Sequence, residues 1–192
     1  MRLLIMGPPG AGKGTQAVGI AAHYGVPAIS SGALFRSNIQ NATPLGQRVS
    51  AIIAAGEYVP DDLTTELVFD RIADADCEAG WLLDGYPRTA GQVEALDGLL
   101  AAQGNDLTAA ISLVADPDAL VGRLLKRAEI EGRLDDNEET IRHRIEVYNA
   151  ETASLLAGYA DRGLVVEVDA LGDVADVTRR LTDALDAKLA AK

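Results

Sequence analysis

The run Gly7-Pro8-Pro9-Gly10-Ala11-Gly12-Lys13-Gly14-Thr15 joins four glycines to a lysine and a hydroxyl. Glycines let successive backbone amides converge on one anion, and a helix starting behind them adds partial positive charge. A lysine at that point reaches the outer phosphates of a nucleotide. The chemistry this suits is phosphoryl transfer, which asks a protein for in-line positioning and cationic shielding. Elsewhere the chain carries matching groups. Of its 17 basic residues 13 are Arg, whose planar fork grips phosphate where Lys acts as a point charge. Asp84 ends the apolar run Trp81-Leu82-Leu83, where a carboxylate can order metal-bound water. A glycine-rich turn with a chance lysine would share the composition but not the context of a strand before and a helix after.

That context is readable. Arg2 to Met6 is a short buried strand, and Gly14 to about Tyr24 a helix stopped by Gly25. Val26 to Ser30 reads as a second strand, and Gly32 to Gln40 as a helix broken by Asn41-Ala42-Thr43-Pro44. A further helix runs to Ala55, before the turn Gly56-Glu57-Tyr58-Val59-Pro60. Asp61 or Asp62 is expected to cap the next helix, with Leu63, Leu67 and Ile72 on its apolar side. Trp81 to Asp84 is a strand, a helix follows to about Ala102, and Leu107 to Ala115 is a strand. Pro117 to Arg127 suits a helix with Pro in its first turn. Past the polar stretch Glu131 to Asp136, Asp136 and Glu139 have capping-box spacing for a long helix with Ile141, Ile145 and Tyr148 on one face. Leu164 to Val168 is the last strand, and a helix starts at Asp173. Strands alternating with helices predict a three-layer α/β/α protein with a mainly parallel five-stranded sheet.

Composition excludes several alternatives. The length of 192 residues suits one domain with small inserted lobes. No apolar run approaches the ~20 residues of a membrane span, and Gly7 to Gly10 cut the N-terminal apolar run too short for a secretion signal. The lone Cys77 allows no internal disulfide, and two histidines offer no metal cluster, so a reducing cytoplasm is expected. A net charge of −12 argues against nucleic acid as partner.

The motifs together resemble one family. A general P-loop places Ser or Thr directly after Lys as a magnesium ligand; here Gly14 stands there and Thr15 follows. That form resembles the loop of the adenylate kinases. Ser30-Ser31-Gly32-Ala33-Leu34-Phe35-Arg36 resembles the start of their AMP-binding lobe, which would span 30–59. Asp84-Gly85-Tyr86-Pro87-Arg88 matches their Asp-Gly-aromatic-Pro-Arg motif, with Gln92 at the expected distance. Arg123 to Arg127 and Gly132-Arg133-Leu134-Asp135-Asp136 match the lid flanks, and Arg144 lies in the helix beyond. Five matches in order make the likeness specific across nearly the whole chain. Ala33 departs from a commonly acidic position, and the lid (128–138) is the short form, without a zinc site.

The resemblance implies reversible magnesium-dependent transfer from ATP to AMP, giving two ADP, in adenine nucleotide homeostasis and salvage. Lys13, with Gly10, Ala11, Gly12, Gly14 and Thr15, would hold the ATP phosphates; Arg127 and Gly172 complete the ATP side. Ser31, Arg36, Glu57, Tyr58, Val59, Gly85, Tyr86, Pro87, Arg88 and Gln92 would form the AMP side, joined by Arg133 and Arg144. Lys13, Asp84, Arg88, Arg123, Arg133 and Arg144 would serve the transfer itself. Magnesium would be held by phosphates and water, with no direct protein ligand. The expected partners are ATP, AMP and ADP, with neither nucleic acid nor membrane, and the expected state is a monomer.

Other readings are weaker. A UMP/CMP kinase usually has Ala for Ser31 and Asn for Gln92. A GTP switch reads guanine with Asn-Lys-x-Asp, and no Asn here precedes Lys. A non-catalytic sensor would not need the full arginine set. Arg2, Arg48, Arg71, Arg142, Arg162, Arg179 and Arg180 read as surface ion-pairing residues, His23 and His143 as surface, Cys77 as a semi-buried structural thiol, and Tyr86 as turn packing.

Overall fold

Along Arg2–Met6 (β1) side chains alternate, so Leu3 and Ile5 enter one apolar layer while Leu4 and Met6 enter the other. A strand buried on both faces belongs in the middle of a covered parallel sheet. The computed structural model, describing residues 1–131, 135 and 137–191, has that arrangement. With β2 (Ala28–Ser30), β3 (Trp81–Asp84), β4 (Ala109–Val114) and β5 (Val165–Asp169), β1 forms a parallel sheet in the order β2-β3-β1-β4-β5. Ile5 pairs with Asp84, Met6 with Ser112 and Ser30 with Asp84, so the carboxyl ends of these strands lie level.

Helices cover both faces. On one, α1 (Lys13–Tyr24) contributes Ala17 and Ile20, and α9 (Val174–Ala190) contributes Val177, Leu181 and Leu185. The other is covered by Val68 of α4 (Asp61–Ile72), Leu96 and Leu100 of α5 (Ala90–Ala102), and Tyr159 of α8 (Leu155–Asp161). A third, smaller cluster gathers Phe35, Val49 and Val59, where α2 (Ser31–Gln40) packs on α3 (Pro44–Ala54). Two more helices, α6 (Pro117–Glu131) and α7 (Glu138–Val147), complete the described α-helices. No described helix is long and apolar enough to cross a membrane.

Three expectations change. Neither Asp61 nor Asp62 caps α4: Pro60 stands at the cap position, Asp61 is the first helical residue, and its carboxylate is drawn away to Thr89 and Gln92. At α7 the cap is Asn137, whose Oδ1 accepts from Thr140 N at 2.9 Å; Asp136 lies outside the described residues. The expected long helix stops at Val147, passes through a π-turn at Tyr148–Thr152 and resumes as α8. Such turns insert a residue and re-aim side chains. Here Thr152 Oγ1 donates to Arg88 O at 2.8 Å.

Candidate active site

The loop after β1 runs into α1 through Gly12, whose left-handed φ of 86° an L side chain would resist. Gly12 makes no side-chain cap, so the first-turn amides of α1 point outward unclaimed by a capping group. Lys13 folds back over the loop, its Nζ donating to Gly7 O at 2.7 Å and Pro8 O at 2.9 Å. Burial pushes its ammonium down to about 8; Arg88, Arg144 and Arg127 push the same way, and Asp84 opposes them. A cation held down by burial and like charges gains from an incoming anion. Asp84 is 9% exposed at the end of β3, with a Gly14 Cβ position only 3.7 Å from its Oδ2, so it faces the start of α1.

Beside the loop, β2 feeds α2 and β3 feeds the Gly85-Tyr86-Pro87-Arg88 turn, with a cis bond between Tyr86 and Pro87. These meet at Gly85: its φ is 79°, and a Cβ there would lie 2.8 Å from both Arg88 Nη2 and Ser31 Oγ. Ser31 Oγ donates to Gly85 O at 2.7 Å, and Arg88 Nε donates to the same carbonyl at 2.8 Å. Arg88 also lies over the Tyr58 ring, 4.9 Å from its centroid, and donates its backbone N–H to Gln92 Oε1 at 2.8 Å. Arg36 curls over Gly32, whose Cβ position is 2.9 Å from Arg36 Nη1. Tyr86 is 2% exposed and packs in the turn as expected, its hydroxyl donating to Gln92 O at 3.2 Å.

One cleft outside the carboxyl ends of β1 and β3 collects these groups, where open α/β sheets bind ligands. Lys13, Ser31, Arg36, Glu57, Tyr58, Val59, Gly85, Pro87, Arg88, Gln92 and Arg144 line it. Arg144 reaches it while donating to Asp135 Oδ2 at 2.9 Å, a half-buried ion pair between α7 and the segment before it. Other expected residues stand elsewhere. Arg123 on α6 donates both guanidinium ends to Ala170 O at 3.3 Å, which ties it to the loop carrying Gly172. Arg127 follows four residues on, and Gly10, Ala11, Gly14 and Thr15 belong to the loop and the start of α1. Arg133 lies outside the described residues.

The family model described as "Adenylate kinase" matches residues 5–164. Adenylate kinase of Leifsonia xyli subsp. xyli is 57% identical over 183 residues, 95% of this chain and 92% of that one. The Clavibacter michiganensis adenylate kinase is 56% identical over 184 residues, 96% and 92% of the two chains. That of Thermobifida fusca is 46% identical over 188 residues, 98% of this chain and all of the other.

The chain belongs to the adenylate kinase family.

It is thus a phosphotransferase of the nucleoside monophosphate kinase type, and the likeness is to adenylate kinases rather than to UMP/CMP kinases. Several contacts escaped the sequence reading. Thr152 and Tyr148 enter from the π-turn, and Tyr58 OH lies 2.9 Å from Thr152 Oγ1. His143, read as surface, has its Nε2 2.7 Å from Glu57 Oε1 and bridges α7 to the segment before α4. Cys77, read as semi-buried, is 3% exposed beside Arg71, which also pairs with Asp76 at 2.7 Å; burial pushes the thiol up. Arg142, Arg162 and Arg179 make the expected exposed pairs, with Glu138, Asp97 and Asp176. No local motif marks the contacts of Thr152, Tyr148 and His143, because each depends on partners dozens of positions away.

Proposed function

We propose that this chain reversibly transfers the γ-phosphoryl group of ATP to AMP, giving two ADP for adenine nucleotide homeostasis and salvage. The observation that carries the reading is the shared cleft: Lys13 from the loop, the guanidinium-bearing Arg36, Arg88 and Arg144, and the polar Ser31 and Gln92 all line it. Two nucleotides brought together repel through their phosphates, so catalysis needs cations preplaced around the phosphoryl in transit. Lys13 and the loop amides would hold the ATP phosphates, Arg36 and Arg88 the AMP phosphate, and Arg144 the group in transit. Arg123, Arg127 and Gly172 would serve the ATP side, and Arg133 would join from the lid. Ser31 and Gln92 would read the adenine edge.

Magnesium fits this site through water. Asp84 is a nearly buried, oxygen-only donor facing the start of α1, and hard cations prefer such oxygens. When bound with ATP, the ion supplies charge neutralisation between phosphates. Asp84 would orient its water shell, with no direct protein ligand. The lobe 30–59 and the lid 128–138 would swing inward over the two nucleotides. We further propose a cytoplasmic monomer, with ATP, AMP and ADP as its partners.

A coupled assay of ADP formation from ATP with AMP, CMP, UMP or GMP tests the proposal. AMP is expected to exceed the other acceptors in kcat/KM by well over tenfold. A wild type that prefers CMP or UMP would overturn the adenine reading.

A further inference from the structure

Asp61 has no part in the chemistry above, and it does not cap the helix it starts. Its carboxylate instead takes two short hydrogen bonds across the molecule. Oδ2 accepts from Thr89 Oγ1 at 2.7 Å, and Oδ1 accepts from Gln92 Nε2 at 2.7 Å. On the other end of the same amide, Gln92 Oε1 accepts from Arg88 N at 2.8 Å. Gln92 is 1% exposed, so little water can replace either partner. The packing is close: a Cβ on Gly91 would lie 3.0 Å from Asp61 Oδ2.

These partners decide which way the amide points. A carboxylate only accepts and a backbone N–H only donates, so Gln92 must present nitrogen to Asp61 and oxygen to Arg88. Turning the amide over would set oxygen against oxygen and N–H against N–H. Each end then keeps one function, a second N–H on Nε2 and a second lone pair on Oε1. That donor–acceptor pair complements a base edge with a ring nitrogen that accepts beside an amino group that donates.

We propose that Asp61 is a specificity-determining positioning residue of the monophosphate site, acting through Gln92. It rests on the reading of Gln92 as a base-facing group given above. Asp61 locks the amide so that its leftover donor and acceptor match the adenine edge, and it holds Gln92 against the backbone of Arg88. The competing account makes Asp61 only a first-turn acid that steadies the start of α4. That account predicts lost stability without a change in base preference.

The test uses wild type, Asp61→Ala, Asp61→Ser, Gln92→Ala and the double variant Asp61→Ala/Gln92→Ala. Asp61→Ser keeps a good helix-start residue while falling short of Gln92, so it carries the test should Asp61→Ala not fold. KM and kcat are measured for AMP, CMP and ATP, with a urea midpoint for each protein. Releasing one buried hydrogen-bonded polar group is expected to raise the AMP KM and lower the AMP-to-CMP preference by roughly tenfold. The ATP KM should stay within about twofold, since its site makes no use of Gln92. In the Gln92→Ala background, Asp61→Ala should add little, because contacts acting through one group do not add. An unchanged AMP-to-CMP preference in Asp61→Ala and Asp61→Ser overturns the proposal, as does a full, independent effect in the Gln92→Ala background. If Gln92→Ala shifts the preference and the Asp61 variants do not, the base reading stands and Asp61 loses its role. If Gln92→Ala leaves the preference unchanged, the base reading falls and takes the proposal with it.

Discussion

Lys13 lies at the centre of the chemistry because of what surrounds its ammonium. It donates to two loop carbonyls, is partly buried, and has three guanidinium groups lowering its proton affinity. Replacing it by Met should leave the fold intact and reduce kcat by about 10²–10³-fold, the usual loss on removing one preorganised charge stabiliser. Steady-state kinetics with a circular dichroism control checks this, and near-normal turnover in a folded Lys13→Met protein contradicts the loop assignment. The same residue gives a pH signature. Its folded value of about 8 lies below the ordinary 10.5, so in the free folded protein the ammonium is charged below about pH 8 and gives up its proton as pH rises past it. ATP phosphates favour that charged form and raise the value. ATP binding between about pH 8 and pH 10 should therefore take up a fraction of a proton and weaken as pH rises. Calorimetry in buffers of different ionisation heat measures the uptake, which should vanish in Lys13→Met. The placement of the loop and of Arg88 was legible because both belong to contiguous motifs. Asp61 was misread, since helix-start position and Asp identity suggest a cap and only tertiary contact with Gln92 and Thr89 reveals another use.

At the level of elements, α2 and α3 pack on a cluster of their own around Phe35, Val49 and Val59, apart from the two sheet layers. A small unit with its own apolar centre can turn as a body about its ends, and Gly56 with Glu57 stands at one of them. The Glu57–His143 contact and the Tyr58–Thr152 contact tie that end to α7 and the π-turn. A bisubstrate mimic joining two adenosines through a phosphate chain should fill both sites and slow amide exchange at 53–59 and 128–138. Exchange there that is unchanged under saturating mimic contradicts closure over the nucleotides. Sequence located the elements well where turn residues punctuate them, as Gly25 ends α1 and Asn41 to Pro44 separate α2 from α3. It mistook the cap of α7 because Asp136 and Asn137 are both good caps, one position apart. The π-turn was hidden because Ile141, Ile145 and Tyr148 keep helical spacing across the boundary where the turn begins.

The whole molecule holds the loop still by packing α1 against both the sheet and the neighbouring α9. Gln16 Nε2 donates to Val174 O at 3.1 Å, Thr178 Oγ1 to Gln16 Oε1 at 2.7 Å, and Tyr24 OH to Asp186 at 2.7 Å. Leu181 is fully buried in the same layer. Leu181→Ala should cost about 2–5 kcal/mol by lost burial and a residual cavity, read from urea unfolding. An exposed change such as Arg48→Ala should stay within about 0.5 kcal/mol. A loss below about 1 kcal/mol for Leu181→Ala would mean that α9 is not an integral wall of the core. The parallel α/β class followed from alternating strands and helices, but the order β2-β3-β1-β4-β5 did not, since short apolar strands carry no mark of their neighbours. That order brings Lys13, Asp84 and Arg88 together at the ends of adjacent strands. On the function proposed above, this cleft passes a phosphoryl group from one nucleotide to another rather than to water. Incubating the protein with ATP labelled in the γ-phosphoryl group and unlabelled AMP, with magnesium, and following every product distinguishes the two fates. Two ADP are expected for each ATP consumed, with the label in the β-position of the ADP made from AMP, and ATP and AMP regenerated from ADP alone. Label released as inorganic phosphate, with one ADP per ATP and no requirement for AMP, would contradict that function.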